Sequence, residues 1–205
     1  MKSLRPTALA AVALVAAACA MFGHHEVSGV WRLVPNESSI HFLGIKNNAV
    51  GVPGSFTSLE GVYDSARRSG FVEVKLGGAD TGNPARDENI RAQFFEVAKY
   101  PLARFELVGL PAPDTLPDPG GSTRLELAGT LSLHGGALPL KIPAVVSRDL
   151  ANHLHVRNAQ AVVISAHDLG MDAQLAALKA TCGHESLSGA VPVDFDVSFA
   201  PVGSD

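Results

Sequence analysis

Cys182-Gly183-His184-Glu185 sets a thiol, an imidazole and a carboxylate close together along the chain. A thiol beside an imidazole base can serve nucleophilic or redox chemistry. His184 is too near Cys182 along the chain to be assumed its base, however, and no G-x-S-x-G elbow accompanies it. The favoured reading of Cys182 is a lone thiol, and no catalytic residue is expected. His153 and His155 are two apart, so on a strand they share a face, and His24 and His25 stand near the start of the chain. No histidine pair has the helical i, i+4 spacing of a zinc enzyme and no C-x-x-C occurs, so no metal and no cofactor is expected. Arg86, Asp87, Glu88 and Arg91 bring both signs of charge within two helical turns. Such clusters mostly pair among themselves in solvent. The functional alternative is a guanidinium gripping headgroup oxygens, which arginine does bidentately. Phe94 and Phe95, with Tyr100 nearby, are either an aromatic plug or the wall of an apolar site, and one residue can be both.

The elements that would position these residues are strands. The run from Val191 to Phe199 alternates Val191, Val193, Phe195, Val197 and Phe199 with Pro192, Asp194, Asp196 and Ser198, one face core and the other water. Leu125, Leu127, Gly129, Leu131 and Leu133 alternate in the same way, and after Gly135-Gly136 so do Leu138, Leu140 and Ile142. This spacing predicts a hairpin with the glycine pair at its turn. Pro139 and Pro143 mark its second arm as bulged or at an edge. Weaker strand patterns cover 30–34, 40–43, 55–63, 71–76, 103–108, 153–156 and 160–165. About eight strands in one domain suit a closed barrel or sandwich better than an open sheet. Two segments, 87–95 and 172–180, have helical spacing and open on aspartates that could cap them. The stretch 109–122, with four prolines and adjacent glycines, reads as a long loop.

The chain's opening gives an address. Lys2 and Arg5 precede an apolar run from Ala8 to Ala18 that ends in small residues, the layout of a secretion signal over 1–20. The run is about eleven residues, well short of the roughly 20 that span a bilayer. Cleavage after Ala20 would discard Cys19, whereas cleavage before Cys19 would leave it lipidated as the first residue of a membrane-anchored lipoprotein. Both remain open, and both put the protein in the periplasm or outside the cell. There, the alternative use of Cys182 and His184 would be an envelope stress or redox accessory, or an enzyme. The remaining chain, 21–205, is the size of one domain. With 16 Lys and Arg against 20 Asp and Glu, net charge −4, it offers no basic face for nucleic acid. Cys19 and Cys182 are the only cysteines, so no internal disulfide is expected.

The central segment is the most distinctive. It runs Asp80-Thr81-Gly82, Arg86-Asp87-Glu88-Asn89-Ile90-Arg91, Phe94-Phe95-Glu96-Val97 and Tyr100-Pro101-Leu102-Ala103-Arg104-Phe105. This resembles the core pattern of the YceI family. Trp31 to Phe42 is similar to that family's opening strand pair, Gly54 to Gly61 to its G-x-F-x-x-x-x-G turn, and Gly129 to Gly135 to its G-T-L-x-L-H-G strand. The stretches 45–52 and 109–122, and Asp168-Leu169, depart from the pattern. The resemblance implies a mainly β fold, an eight-stranded antiparallel lipocalin-like barrel with one or two short helices around an elongated apolar cavity. It further implies an exported protein that binds polyisoprenoid chains such as isoprenoid quinones or prenyl diphosphates, and that often dimerises. The residues expected at the ligand are Phe42, Phe56, Phe94, Phe95, Tyr100 and Phe105, with Arg86 and Arg91 toward a headgroup. Gly129, Ala103, Ala161 and Val163 are small side chains expected to face inward and leave room. An eight-stranded barrel is just wide enough either to be filled by side chains or to hold one small ligand.

Overall fold

The computed structural model describes residues 29–108 and 115–203. The signal expected over 1–20, with Cys19, and His24 and His25 lie outside the described residues.

Twelve strands form one antiparallel sheet. They are β1 (Val30–Leu33), β2 (Ser39–Lys46), β3 (Val50–Phe56), β4 (Leu59–Asp64), β5 (Ser69–Lys75), β6 (Ala79–Asp80), β7 (Leu102–Leu107), β8 (Ser122–Leu133), β9 (Gly136–Arg148), β10 (Leu154–Asn158), β11 (Val162–Ser165) and β12 (Ala190–Pro201). They make eight staves, because β1 with β2, β3 with β4, β5 with β6 and β10 with β11 are broken halves of single staves. The break between β3 and β4 falls at Thr57-Ser58, inside the stretch 55–63 that reads as one strand in sequence. β12 closes the sheet. Its first half pairs with β11 and β2, and its second half with β10 and β1. The expected eight-stranded antiparallel barrel is what forms.

Alternation decides what enters the lumen. Leu125, Leu127, Leu131 and Leu133 of β8 and Val191, Val193, Phe195, Val197 and Phe199 of β12 all face inward. Arg124, Glu126, Asp194 and Asp196 are exposed on the outside. On β11 the expected face is reversed. Val163 is 58% exposed and Ala161 is exposed, while Val162 and Ile164 line the lumen. A shift of one residue exchanges the two faces of a strand, and the pairing of Val163 with Pro192 settles which one is outside.

The β8–β9 hairpin forms, but its turn is His134-Gly135, whose φ values are 51° and 81°. Gly136 already belongs to β9, and a Cβ there would lie 2.5 Å from the Leu169 carbonyl oxygen. β9 is an edge over only part of its length. It pairs with β8 from Gly136 to Ser147, but β10 covers only Ala144 to Arg148. Ala159 N–H donates to the Pro143 carbonyl at 2.8 Å, so Pro143 faces away from β8, as does Pro139 four residues earlier. A proline there removes no bond from the β8 ladder.

Each end of the barrel has its own core. Trp31, Leu33, Leu59, Tyr63, Val146, Leu154, Val197 and Phe199 pack at one end, with the Trp31 and Tyr63 rings 5.4 Å apart. At the other end Leu76, Ala79, Phe95, Ala103, Ala166, Leu169 and Met171 pack beneath two helices. α1 (Pro84–Asn89) is followed by a π-helical turn, Ile90–Phe94, in which Phe95 N–H reaches the Ile90 carbonyl at 2.9 Å. The helix therefore starts before the expected 87–95, and Asn83, not Asp87, caps it by accepting from Arg86 N–H. α2 (Asp172–Thr181) follows the expected 172–180, but Asp172 does not cap it, since its carboxylate meets the His167 ring at 2.8 Å. Glu96, at φ 47°, ties this end together by bonding the His134 ring at 2.6 Å and the Gln174 amide at 3.0 Å. Those two bonds, Gln174 foremost, hold its carboxyl below the usual range.

A Cβ on Gly129 would lie 2.4 Å from the Phe105 ring and 2.6 Å from the Glu106 carbonyl oxygen, and the latter cannot rotate away. Gly129→Ala is expected to destabilise by about 1–3 kcal/mol, with melting falling about 2–4 °C per kcal/mol. Gly77→Ala, where a Cβ meets nothing within 4 Å, is the control. Equal melting temperatures for the two variants would refute this account of the wall.

Candidate ligand-binding cavity

Between the two end cores lies a cavity of about 370 Å³, within the roughly 300–1,000 Å³ of small-molecule sites. Its wall is aliphatic and aromatic almost throughout. Two of the aromatic rings that line it rest on glycines of the adjoining strand. The Phe42 ring covers Gly54, its cross-strand partner, where a Cβ would be 2.3 Å away. The Phe105 ring covers Gly129 in the same way, so Gly129 is a seat for a ring and not spare volume. From Phe42 the aromatics run on to Phe56 at 5.4 Å, then Phe95 at 6.0 Å, then Phe94 at 5.1 Å. Phe42, Phe56, Phe94, Phe95 and Phe105 thus all line the cavity, as does Ala103.

Polar lining is concentrated where the β2–β3 hairpin, the start of α1 and the segment after α2 converge: Lys46, Thr81, Arg86, Cys182, His184 and Ser188. These elements are stitched together. Glu185 N–H donates to Asn47 Oδ1 at 3.0 Å, Lys46 bridges to Leu187, and the Asn89 amide lies 3.7 Å from Cys182 Sγ. Arg86 is held in place by Thr81, which accepts Nε at its hydroxyl (2.7 Å) and Nη2 at its carbonyl (2.9 Å). Asp87 in turn holds Thr81. Its carboxylate, 4% exposed, accepts both the Thr81 N–H at 2.9 Å and the Thr81 hydroxyl. The mixed charges of this segment therefore do separate jobs.

Two expected site residues lie elsewhere. Arg91 donates to the Ala79 carbonyl at 2.9 Å and pairs loosely with Glu88 at 3.8 Å, outside the cavity lining. Tyr100 stands on the outer side near the β8–β9 turn, its ring 4.1 Å from that of His134. Lys46 was missed, although it has the inward parity of Ile40, Phe42 and Gly44 on one strand. That parity was the available signal. His153 and His155 gather on the outside around Asp149, each 3.7 Å from its Oδ2, and His155 also bonds Ser198 at 2.7 Å. Among the described residues no group of three or more His, Cys, Asp or Glu is placed to hold a metal ion.

The YceI-like domain model matches residues 31–199, from the tryptophan of β1 to the last inward phenylalanine of β12. The chain belongs to the YceI family. A UPF0312 protein of Azotobacter vinelandii is 28% identical over 142 residues, 65% of this chain and 70% of that protein. Among solved structures, a polyisoprenoid binding domain from Saccharophagus degradans, implicated in plant cell wall breakdown, is 26% identical. It has a TM-score of 0.78, covering 85% of this chain and 99% of that one. Burkholderia cenocepacia BcnA, 15% identical with a TM-score of 0.61 over 81% of this chain and 98% of its own, shares the fold. The family's aspartate-rich turn and R-D-E segment are, in this member, the Asp87–Thr81–Arg86 chain of bonds.

Asp87→Ala leaves two Thr81 donors without their buried acceptor, which is expected to cost about 1–3 kcal/mol. Asp87→Asn, which keeps an acceptor oxygen, should recover most of it. Chemical denaturation measures both, and an alanine variant as stable as the parent would show that the bonds carry nothing.

Proposed function

We propose that this protein is an exported binding protein that takes up one long apolar amphiphile of isoprenoid type and sequesters or carries it. The observation that carries the reading is the cavity: apolar along its length, with polar side chains collected at one end. That is the polarity of a lipid, tail and head. Each methylene moved from water into such a lumen contributes about 0.8 kcal/mol, so a few isoprene units bind on burial alone. Likeness to the Saccharophagus degradans polyisoprenoid binding domain supports the same ligand class. The reading asks for no reacting group, and Cys182 and His184 serve in it as lining.

Export rests on the residues of the first segment, and the two cleavages give two modes of action. A lipidated Cys19 would hold the cavity beside a membrane, and cleavage after Ala20 would release a diffusing carrier. The mass of the mature N-terminus separates them, because acylation adds the mass of the attached chains and cleavage after Ala20 removes Cys19 altogether.

The ligand itself is tested by extracting purified protein with organic solvent and analysing the extract by mass spectrometry. An isoprenoid lipid in near-stoichiometric amount is expected, and added isoprenoid should raise the melting temperature. Val193→Trp, which fills the lumen from β12, should retain less than about a tenth of the parent's lipid with its far-ultraviolet dichroism unchanged. An empty parent that no isoprenoid stabilises would sink the proposal.

A further inference from the structure

α2 lies over the helical end of the lumen, and Met171, Leu175 and Leu178 line the cavity from it. Its flanks are sewn down. Before it, Ala166 N–H donates to the Gly189 carbonyl and Met171 N–H to the Ala166 carbonyl, both at 2.8 Å. After it, Asn47 N–H reaches the Ser186 carbonyl at 2.9 Å and Ser188 N–H the Ile45 carbonyl at 2.8 Å, which ties 186–188 to the β2–β3 hairpin. Between these anchors stand Gly170 and Gly183, at φ 71° and 63°, where a Cβ would meet nothing within 4 Å. Gly183 ends the helix as its left-handed cap, with His184 N–H on the Lys179 carbonyl at 3.1 Å. Both positions are uncrowded, and glycine alone moves freely through positive φ, so the backbone turns most easily at these two points.

The helix between the glycines is held lightly. Among the described residues two side-chain hydrogen bonds join it to other elements: the Gln174 amide donates to Glu96 Oε2 at 3.0 Å, and the Asn89 amide to Cys182 Sγ, a weak acceptor, at 3.7 Å. The seam also carries a defect. Among the described residues the buried side-chain polar atoms without a partner are Arg91 Nε and Gln174 Oε1, one on each of the two elements that pack here, the π turn and α2. A buried donor or acceptor left unpaired has lost its water and gained nothing in return, so the closed arrangement is destabilised where it would part. Gln174 is thus the tie and the weak point in one side chain, and neither it nor Glu96 lines the cavity. The opposite end has no such element. Trp31, Leu59, Tyr63 and Phe199, which fill it, sit on β1, β4 and β12, and moving them would break the sheet.

We infer that α2 is a lid, hinged at Gly170 and Gly183 and latched by Gln174 on Glu96, through which an apolar molecule enters and leaves the lumen. This rests on the lipid-binding reading of the same cavity and adds what that reading leaves open, the route of exchange. Opening breaks two side-chain bonds, lets water reach the two orphaned atoms and leaves every strand pairing in place.

Two variants of the full-length protein, Gln174→Leu and Glu96→Ala, cut the latch and are read in two ways. Met171 lies beneath the lid and is 0% exposed, so its oxidation by dilute hydrogen peroxide, followed by peptide mass, records opening whether or not a lipid is bound. Both variants are expected to raise that rate about tenfold. They should also take up geranylgeraniol, and release it to phosphatidylcholine vesicles, about tenfold faster, with affinity kept within about a factor of two because both directions pass the same lid. A barrel merely loosened would instead lose affinity. Met171 oxidised at the parent's rate in both variants would overturn the lid, and so would release that quickens while uptake does not. A parent that binds no geranylgeraniol, with Met171 oxidised faster in the variants, would sink the lipid reading and keep the lid.

Discussion

β12 is hydrogen-bonded along both of its edges, to β10 and β11 on one side and to β1 and β2 on the other. That closure leaves every inward side chain of the barrel facing a common lumen. With no free edge along the seam, register cannot slip on one strand without breaking bonds on its neighbour, so alternation becomes a strict sorting of residues into wall and surface. The position of each lining group follows from this. Lys46 reaches the cavity because it is an even step along β2 from Phe42, and Val163 does not because it is an odd step along β11 from Ile164.

A closed barrel of this size could as well be packed solid. Here it is not, and the reason lies in how the bulky residues are spent. The largest buried side chains gather at the two ends, Trp31 at one and Met171 with Leu76 at the other. The Phe42 and Phe105 rings take up the space that side chains at Gly54 and Gly129 would fill. The helical end is closed by packing that includes the π turn, which swings Phe94 and Phe95 together over the lumen, and by Glu96, whose carboxylate joins the β8–β9 turn to α2. The polar groups then fall where these closures leave off.

Parts of this were legible from local pattern. The staves β8 and β12 carry unbroken alternation, so their inward faces were readable residue by residue, and the resemblance supplied Phe42, Phe56, Phe94, Phe95 and Phe105 of the wall. Where the pattern is short or interrupted, reading failed for identifiable reasons. β3 was hidden because Gly51, Pro53 and Gly54 have poor strand character, yet Asn47 and Asn48 accept the positive φ that returns the chain from β2. Asp87 has the look of a helix cap, but Thr81 claims its carboxylate and leaves capping to Asn83. Tyr100, five residues after Phe95, is carried to the other side of the wall by the turn at Glu96.

Alternation and turn residues are local properties of the chain, so a mainly β domain with an apolar face on its strands was legible in them, and the central motif carried the likeness to YceI proteins and with it the expectation of a barrel. Long-range pairing settled that a cavity remains, that Arg91 and Tyr100 stand outside its lining, and that Lys46, Arg86 and His184 belong to it. Those outcomes depend on which residues are opposed across strands and between elements far apart in the chain; Asn47 and Glu185, for example, are 138 positions apart. Closure fixes such oppositions jointly, and no window of sequence contains both partners.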